Sequence, residues 1–312
     1  MTADPGTIHA GVGPVQVLHR LALGVEPVDA FTRALIGRGV RVGREVPQPP
    51  RRRRGTGPLD PLARGRDLPL ESNGTGRFKL RHGPGLGSVA TLVVRVDDPW
   101  RRYVPRRFAV AIWTFAEVTA SEDWPPTTQS PAKPPTGPFV ATRSRLLRPW
   151  LAPGSAYALP RGTTGLRGRV TLGGRPLPWP RVDALGPGDV VVGRAHGDER
   201  GEFLMVVTGT GTLVPPPLTT LDIQLVLRGL RPPAPDDPPV KGALPAEDPL
   251  VGLPLEPVAK SANPPAAGDL DNPLLRGETP LAGYVLSTTP PPVVTLEIGR
   301  VRAVPVPFPF TP

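Results

Sequence analysis

Short runs of alternating apolar and polar residues dominate the chain and predict β-strands. In the clearest run, Leu221, Ile223, Leu225 and Leu227 alternate with polar residues. Side chains along a strand point to opposite faces of a sheet, so this run predicts a strand with one buried face. β-branched or alternating residues predict further strands at 76–81, 90–96, 108–113, 140–147, 166–172, 179–184, 190–195 and 203–207.

The first 46 residues have a weaker pattern that allows two interpretations. Apolar positions partly alternate over 15–23, and Val40 and Val42 alternate with arginines, which favours a strand, a turn and a second strand. A short helix over 27–36 is the alternative, because Pro27 suits the first turn of a helix.

Proline and glycine restrict the fold class. The 312 residues include 48 prolines and 36 glycines, about 27 % of the chain. Proline lacks the backbone donor and is expelled from helix interiors and central strands. A long helical bundle is therefore excluded. We predict an all-β fold with two small β-sandwich modules, joined by Pro/Gly-rich loops and followed by an extended Pro-rich C-terminal arm.

The clusters of proline and glycine also suggest where the units begin and end. We predict an N-terminal β-rich segment at 1–46, an Arg/Pro-rich linker at 47–70, a first β-sandwich module at 71–160, a second at 161–228 and a Pro-rich arm at 229–312. The second module is the best defined, because five or six strands fall within about 65 residues, enough for one small core.

The arm is acidic over most of its length. Residues 229–292 contain eight Asp or Glu against four Lys or Arg. A segment of this composition buries little surface alone, so we expect it to wrap over its own basic modules or over a partner. The β-rich run at 293–301 predicts a final strand, which either closes a sheet of this chain or pairs with a neighbouring subunit.

The chain as a whole is strongly basic, with a formal net charge of +10. Four of the 37 basic residues are lysine, so 33 are arginine. A polyanionic partner would explain this, because guanidinium groups match phosphates well. The codon usage of a GC-rich genome produces the same composition, and both explanations stay open. The run of four arginines in the linker has no interleaved aromatics, which disfavours nucleic acid as the partner.

Several classes of site and location are disfavoured by what the sequence lacks. There is no cysteine, so disulfides and thiolate sites are excluded. The first residues lack the basic-then-apolar pattern of a signal peptide, and no apolar run approaches the ~20 residues of a membrane helix. We expect a cytoplasmic protein without a membrane span, which could leave the cell within a particle released by lysis.

The sequence contains no convincing catalytic or metal-binding constellation. His196 and Glu199 match H-x-x-E, but catalytic zinc needs three protein ligands and no histidine follows His196. We expect a solvent-exposed turn there. The glycine-rich stretches precede strands rather than helices, which argues against phosphate loops. The acidic pairs at 97–98 and 236–237 precede proline and favour turns. We therefore predict a non-enzymatic protein without a cofactor or metal.

Exposed aromatic and basic residues are the remaining candidates for binding. Tryptophan anchors interfaces and binds sugars, although packing in the core or against proline is the alternative. The predicted interaction surface consists of Trp124, Trp150, Arg51, Arg52, Arg53 and Arg54. Its predicted partners are other protein subunits of an assembly, with a glycan as the alternative.

The second module carries a series of motifs that resembles a known family. In chain order they are Gly168-Arg169-Val170, Gly174-Arg175-Pro176-Leu177-Pro178, Arg181-Val182, Asp198 and Gly201-Glu202-Phe203. This order resembles the carboxypeptidase regulatory-like domain, with a G-x-V strand, a G-x-P-L-P turn, an A-x-V strand and a D-x-x-G-x-F hairpin. Trp179-Pro180 stands where that family has Gly-Ala.

The resemblance implies a transthyretin-like (prealbumin-like) sandwich without catalytic residues of its own. Gly201 would then adopt a positive φ in the hairpin and Phe203 would fill the core. The fold-defining residues are Gly168, Val170, Pro178, Val182, Asp198, Gly201 and Phe203. The stand-alone arrangement resembles accessory proteins of phage-tail-like contractile injection systems. That likeness implies a structural or adaptor role, with a carbohydrate- or cell-surface-binding module as the alternative.

Overall fold

The predicted all-β fold is confirmed by the computed structural model. It describes residues 21–45, 67–83, 86, 89–122, 140–208, 219–232, 244, 248–266, 268–289 and 292–312. Within these ranges there are 21 strands, one α-helix and a few short 3₁₀ turns.

The N-terminal half supplies ten of these strands and the helix. In chain order they are β1 (Leu21–Val25), β2 (Val28–Asp29), β3 (Arg41–Glu45), β4 (Asp67–Pro69), β5 (Glu71–Ser72), β6 (Phe78–Arg81), β7 (Thr91–Asp97), β8 (Arg106–Ala111), α1 (Phe115–Glu122), β9 (Leu146–Leu147) and β10 (Trp150–Leu151). A 3₁₀ turn, Thr142–Arg145, precedes β9 and takes up half of the strand predicted at 140–147.

The C-terminal half supplies eleven strands. They are β11 (Gly165–Leu172), β12 (Arg175–Pro176), β13 (Arg181–Leu185), β14 (Val191–His196), β15 (Glu202–Val207), β16 (Thr220–Leu230), β17 (Leu255–Val258), β18 (Tyr284–Leu286), β19 (Val293–Glu297), β20 (Val301–Ala303) and β21 (Phe308–Phe310). Two further 3₁₀ turns are Pro187–Asp189 and Asp269–Asp271.

The first module packs two sheets over one apolar core. One sheet has the order β17-β8-β7-β3-β4 and the other β5-β6-β1-β9, while β2 pairs with β10 beside them. The shared core includes Leu23, Val25, Val42, Val94, Phe108 and Leu147. The strands β1 and β3 come from 1–46 and β17 comes from the arm, so these sheets extend across the boundaries predicted at 71 and 160.

Local backbone geometry explains why no helix forms at 27–36 and why one forms at 115–122. Residues 27–36 form β2 and a turn instead of the alternative helix, and Arg33 has φ +60°, outside the helical region. The helix α1 lies where no helix was expected. Thr114 and Glu117 form its capping box, since Thr114 N donates to Glu117 Oε2 at 2.8 Å and Glu117 N donates to Thr114 Oγ1 at 3.3 Å.

The second module is one large sheet that curls around a second core. Its strand order is β12-β11-β15-β14-β13-β16-β18. The core residues are fully or nearly fully buried and include Leu166, Val170, Val182, Phe203, Ile223, Leu225, Leu296 and Phe308. The Gly173-Gly174 turn joins β11 to β12, and both glycines have positive φ, as a two-residue hairpin turn requires.

The motif residues occupy positions with distinct physical demands. A Cβ at Gly168 would lie 2.7 Å from ring atoms of Phe203 and Phe308, so only glycine fits. Gly201 has φ +71°, and Asp198 Oδ1 accepts hydrogen bonds from the backbone N of Arg200 and Glu202. Val170 and Val182 are buried in the core, whereas Pro178 is exposed beside the buried Trp179.

The C-terminal strands close the second sheet. The strand β19 pairs antiparallel with β16, and β20 and β21 pair in parallel with β11 at the opposite end of the strand order. Of the two alternatives predicted for the final strand, the structure therefore shows the first: the strand pairs within a sheet of its own chain. The predicted arm 229–312 also places β17 in the first module and β18 on β16, so it builds parts of both modules.

Candidate binding cleft between the two modules

Buried ion pairs attach the acidic segment 248–286 to both modules. The Arg106 guanidinium, 1 % exposed, binds both carboxylate oxygens of Glu256 and donates to the carbonyl oxygens of Leu274, Leu275 and Trp150. Arg181 of the second module lies 3.6 Å from the same carboxylate. One acidic side chain thus joins β8, β17 and β13.

A second buried cluster holds the start of the same segment. Asp248 accepts from Arg95 Nη2 at 3.0 Å, and Arg95 and Arg107 both bind Glu45. Removing such charges from water is costly unless every group is paired and hydrogen bonded, as it is here. Of the two alternatives expected from the sequence, residues 248–286 therefore follow the first: they pack against the basic modules of their own chain.

His196 lies beneath this segment, at the contact between the modules. Its Nε2 lies within hydrogen-bonding distance of the Gly277 carbonyl oxygen, at 3.0 Å, and Arg181 Nη1 lies against the ring in contact with both Nδ1 and Nε2. Burial, together with the charges of Arg181, Arg106 and Arg194, holds the pKa of His196 well below its ordinary value of 6.5. The imidazole is therefore neutral in the folded protein.

Acidification should destabilise the protein through His196. Below about pH 6.5 the unfolded chain binds a proton on His196 that the folded state does not. The stabilisation that the neutral His196 gives the folded state is therefore fully present above that pH and is lost as the pH falls. We expect the difference in unfolding free energy between wild type and H196Q to shrink on acidification, by at most about 1.4 kcal/mol per pH unit. Urea titrations of both proteins at pH 5 to 8 measure it, and a pH-independent difference would contradict it.

A cleft of about 190 Å³ lies beside His196, where the modules meet. We call it the intermodule cleft. The first module contributes Phe31, Arg33 and Trp150, and the second contributes Val191, Arg194 and Thr208, while Arg276 and Glu278 come from the acidic segment. Ligand sites occur preferentially at such junctions between domains. Its position therefore makes the cleft a candidate binding site.

A buried carboxylate shapes the wall that carries Arg33. Asp29 Oδ1 accepts from the backbone N of Phe31 and Thr32, and its Oδ2 accepts from the hydroxyls of Tyr103 and Tyr157. Burial, followed by these contacts with Asp29, raises the pKa of both tyrosines above its ordinary value. The tyrosines thus remain protonated donors, and the turn 29–34 is held in one conformation.

The charges of the intermodule cleft are unbalanced toward positive. Three guanidinium groups, those of Arg33, Arg194 and Arg276, face one carboxylate, that of Glu278. Glu278 lies 3.6 Å from Arg194 and 3.5 Å from Arg276, and Arg194 also contacts Asp183 at 3.5 Å. Arg33 is exposed, and no carboxylate of the described residues pairs with it. The arrangement favours an anion.

The structure brings only one of the predicted surface residues to this cleft. Trp150 is half buried, and its Nε1 donates to Asp271 Oδ1 at 3.2 Å, so the polar edge of the ring is already engaged within the chain. The remaining predicted surface residues lie outside the described ranges, namely Trp124, Arg51, Arg52, Arg53 and Arg54.

Sequence reasoning missed other surface residues. Trp100 is 71 % exposed, the most exposed tryptophan among the described residues, on a turn fixed by Asp98. The Asp98-Pro99 pair preceding it was a usable signal for that exposed turn. No such signal marked Arg33, Arg194 and Arg276, because they are far apart in sequence and meet only in the fold.

The turn at His196 is less exposed to solvent than the sequence predicts. His196 and Asp198 are both buried, because the acidic segment covers the first and the hairpin backbone surrounds the second. The prediction of a solvent-exposed turn was therefore wrong for these two residues. Within the described ranges, no group of three or more His, Cys, Asp or Glu side chains is placed to hold a metal ion.

The structure contains no helix, in the part of the chain that it describes, with the length and apolar character needed to cross a membrane.

Comparison with known proteins gives no matching family model, no matching curated protein and no matching solved structure. The intermodule cleft must therefore be interpreted from its own geometry.

Proposed function

We propose that this chain is a non-enzymatic structural adaptor in a larger protein assembly. The observation that carries the proposal is the fixing of two β-modules by one acidic segment. Glu256 binds an arginine from each module, and β17 extends the first module's sheet from within the same segment. A rigid pair of modules is what an adaptor needs to hold its neighbours at a set spacing.

The use of the buried charges also supports a structural role. Arg106 pairs with Glu256, and Arg95 pairs with Glu45 and Asp248. His196 is neutral and engaged with Arg181 and the Gly277 carbonyl. Buried charged and polar side chains often mark catalytic sites, but ion-pair networks that only hold a fold together bury such side chains as well. In this protein each of these groups joins one part of the chain to another.

The kind of assembly that we propose is a phage-tail-like contractile injection particle. The support is the likeness of the stand-alone, Pro-rich, β-modular chain to accessory proteins of such systems, together with the regulatory-domain-like motifs between Gly168 and Phe203. The proposed partners are the other protein subunits of that particle. The protein would reach the outside with the particle on lysis.

The native size of the complex tests this proposal. A tagged chain would be expressed in its native host, released by gentle lysis and sedimented, and the co-migrating proteins would be identified. We expect migration with tube or sheath proteins of megadalton size. Migration as a free monomer would refute the assembly role.

A carbohydrate- or cell-surface-binding module is the second candidate. The observation that favours it is the presence of the Trp150 ring and Phe31 in the intermodule cleft, because aromatic faces pack well against sugars. A glycan array and tryptophan fluorescence titrations test it. Absence of both array binding and a fluorescence change would eliminate this candidate.

A further inference from the structure

We propose that the intermodule cleft binds a carboxylate side chain from an acidic segment of a partner protein, with Arg33 as its principal contact. This inference deepens the adaptor function proposed above and rests on it for the identity of the partner. Three features of the cleft support it: the exposed Arg33, the strain in its backbone, and the chemistry already present at Glu278.

Arg33 is displayed in a backbone conformation that arginine does not favour. Its φ is +60°, in the left-handed region that glycine adopts at little cost. The turn holds it there through Arg33 N donating to Asp29 O and Asp29 N donating to Ala34 O. Strained residues persist where the surroundings fix them, and they concentrate at ligand sites. Arg33 has no ion pair within the described protein that would explain this placement.

Glu278 indicates which anion the cleft accommodates. Its carboxylate lies between Arg194 and Arg276, at 3.6 and 3.5 Å, on the wall formed by the acidic segment. Planar guanidinium groups recognise carboxylates by paired hydrogen bonds. Arg194 and Arg276 already have carboxylate partners in Glu278 and Asp183, so the unmatched positive charge of the cleft is at Arg33, where a second carboxylate could bind.

The rest of the lining favours a peptide over a sugar. Val191, 39 % exposed, and Phe31 lie near the arginines, so an acidic residue flanked by an apolar one would match both features. Among the described lining residues Thr208 offers the only neutral side-chain hydroxyl, whereas sugars are usually held by several neutral polar groups. The volume of about 190 Å³ suits one or two side chains of an extended segment.

The test measures binding of fluorescein-labelled poly-L-glutamate to the purified full chain by fluorescence anisotropy, at about 150 mM salt to screen distant charges. The test variant is Arg33→Gly, because glycine accepts φ +60° and so leaves the turn intact. The matched control is Arg101→Gly. Arg101 is also partly exposed and also has a positive φ, +56°, but it pairs with Glu199 outside the cleft.

We expect R33G to weaken binding about tenfold, as the loss of one charge-assisted contact predicts, and R101G to weaken it by no more than about twofold. The melting temperature of R33G should not fall below that of wild type. Equal losses in both variants, or no binding by wild type, would overturn the proposal. Displacement of poly-L-glutamate by heparin or single-stranded DNA that binds more tightly through Arg33 would overturn it in favour of that ligand.

This result is separable from the test of the adaptor role. A chain that sediments with an assembly but does not bind poly-L-glutamate through Arg33 would remove the cleft proposal alone. A chain that sediments as a monomer but shows the Arg33-dependent binding would remove the assembly role and leave the ligand chemistry of the cleft in place.

Discussion

Replacing Glu256 with glutamine is expected to lower the free energy of unfolding by about 3–5 kcal/mol. Glu256 is 2 % exposed and binds Arg106, which is itself 1 % exposed. Glutamine keeps the size but removes the charge, so Arg106 would stay buried with no opposite charge beside it. Arg181 at 3.6 Å would lose the same partner. Urea denaturation followed by tryptophan fluorescence measures the effect.

Glu71→Gln is the matched control for this experiment. Glu71 is exposed on β5 and pairs with Lys79 at 3.4 Å and Arg81 at 3.3 Å. Exposed pairs contribute little because water and salt screen them, so E71Q should change stability by less than about 1 kcal/mol. Similar effects of E71Q and E256Q would mean that the buried pair does not hold the modules together.

Gly201→Ala should destabilise the second module by about 2–5 kcal/mol, the sum of two costs. The first is the left-handed backbone, since Gly201 has φ +71°. The second is steric, because a Cβ would lie 2.4 Å from the carbonyl oxygen of Val170 and 2.8 Å from that of Leu177. These are backbone atoms of strands and turns, which cannot move aside cheaply. Thermal unfolding followed by circular dichroism gives the measurement.

Gly173→Ala separates these two costs. Gly173 also has a positive φ, +56°, but a Cβ there would have no neighbour within 4 Å. G173A should therefore cost only the backbone share, about 1–2 kcal/mol. If G173A destabilises as much as G201A, the close approach of Val170 and Leu177 to Gly201 is not the cause.

The alternation of apolar and polar residues was enough to predict the positions of most strands. Alternation at 221–227 and the apolar runs at 203–207 and 90–96 correspond to β16, β15 and β7. Such patterns are local, because each strand must offer one face to a core whichever strand it pairs with. The capping box of Thr114 and Glu117 was equally local, and its signal was present in the sequence, although only strands were predicted near it.

Sheet membership could not be obtained in the same way. An alternating strand specifies a buried face, but its partner depends on loops and on distant segments. Hence β1, β3 and β17 join the sheets of the first module, and β19 to β21 close the second, although they come from segments predicted as separate units. The contact of Arg106 with Glu256 and the position of Arg33 in the wall of the cleft also depend on segments that are distant in sequence.

The sequence by itself determined an all-β chain with two apolar cores, its glycine turns and most of its strands, because these depend on neighbours within a few residues. Only the tertiary structure decided that the acidic segment binds its own modules and that His196 is buried beneath it. It also decided that three arginines distant in sequence line one cleft. Those outcomes depend on which oppositely charged groups the fold removes from water together, and no local pattern encodes that pairing.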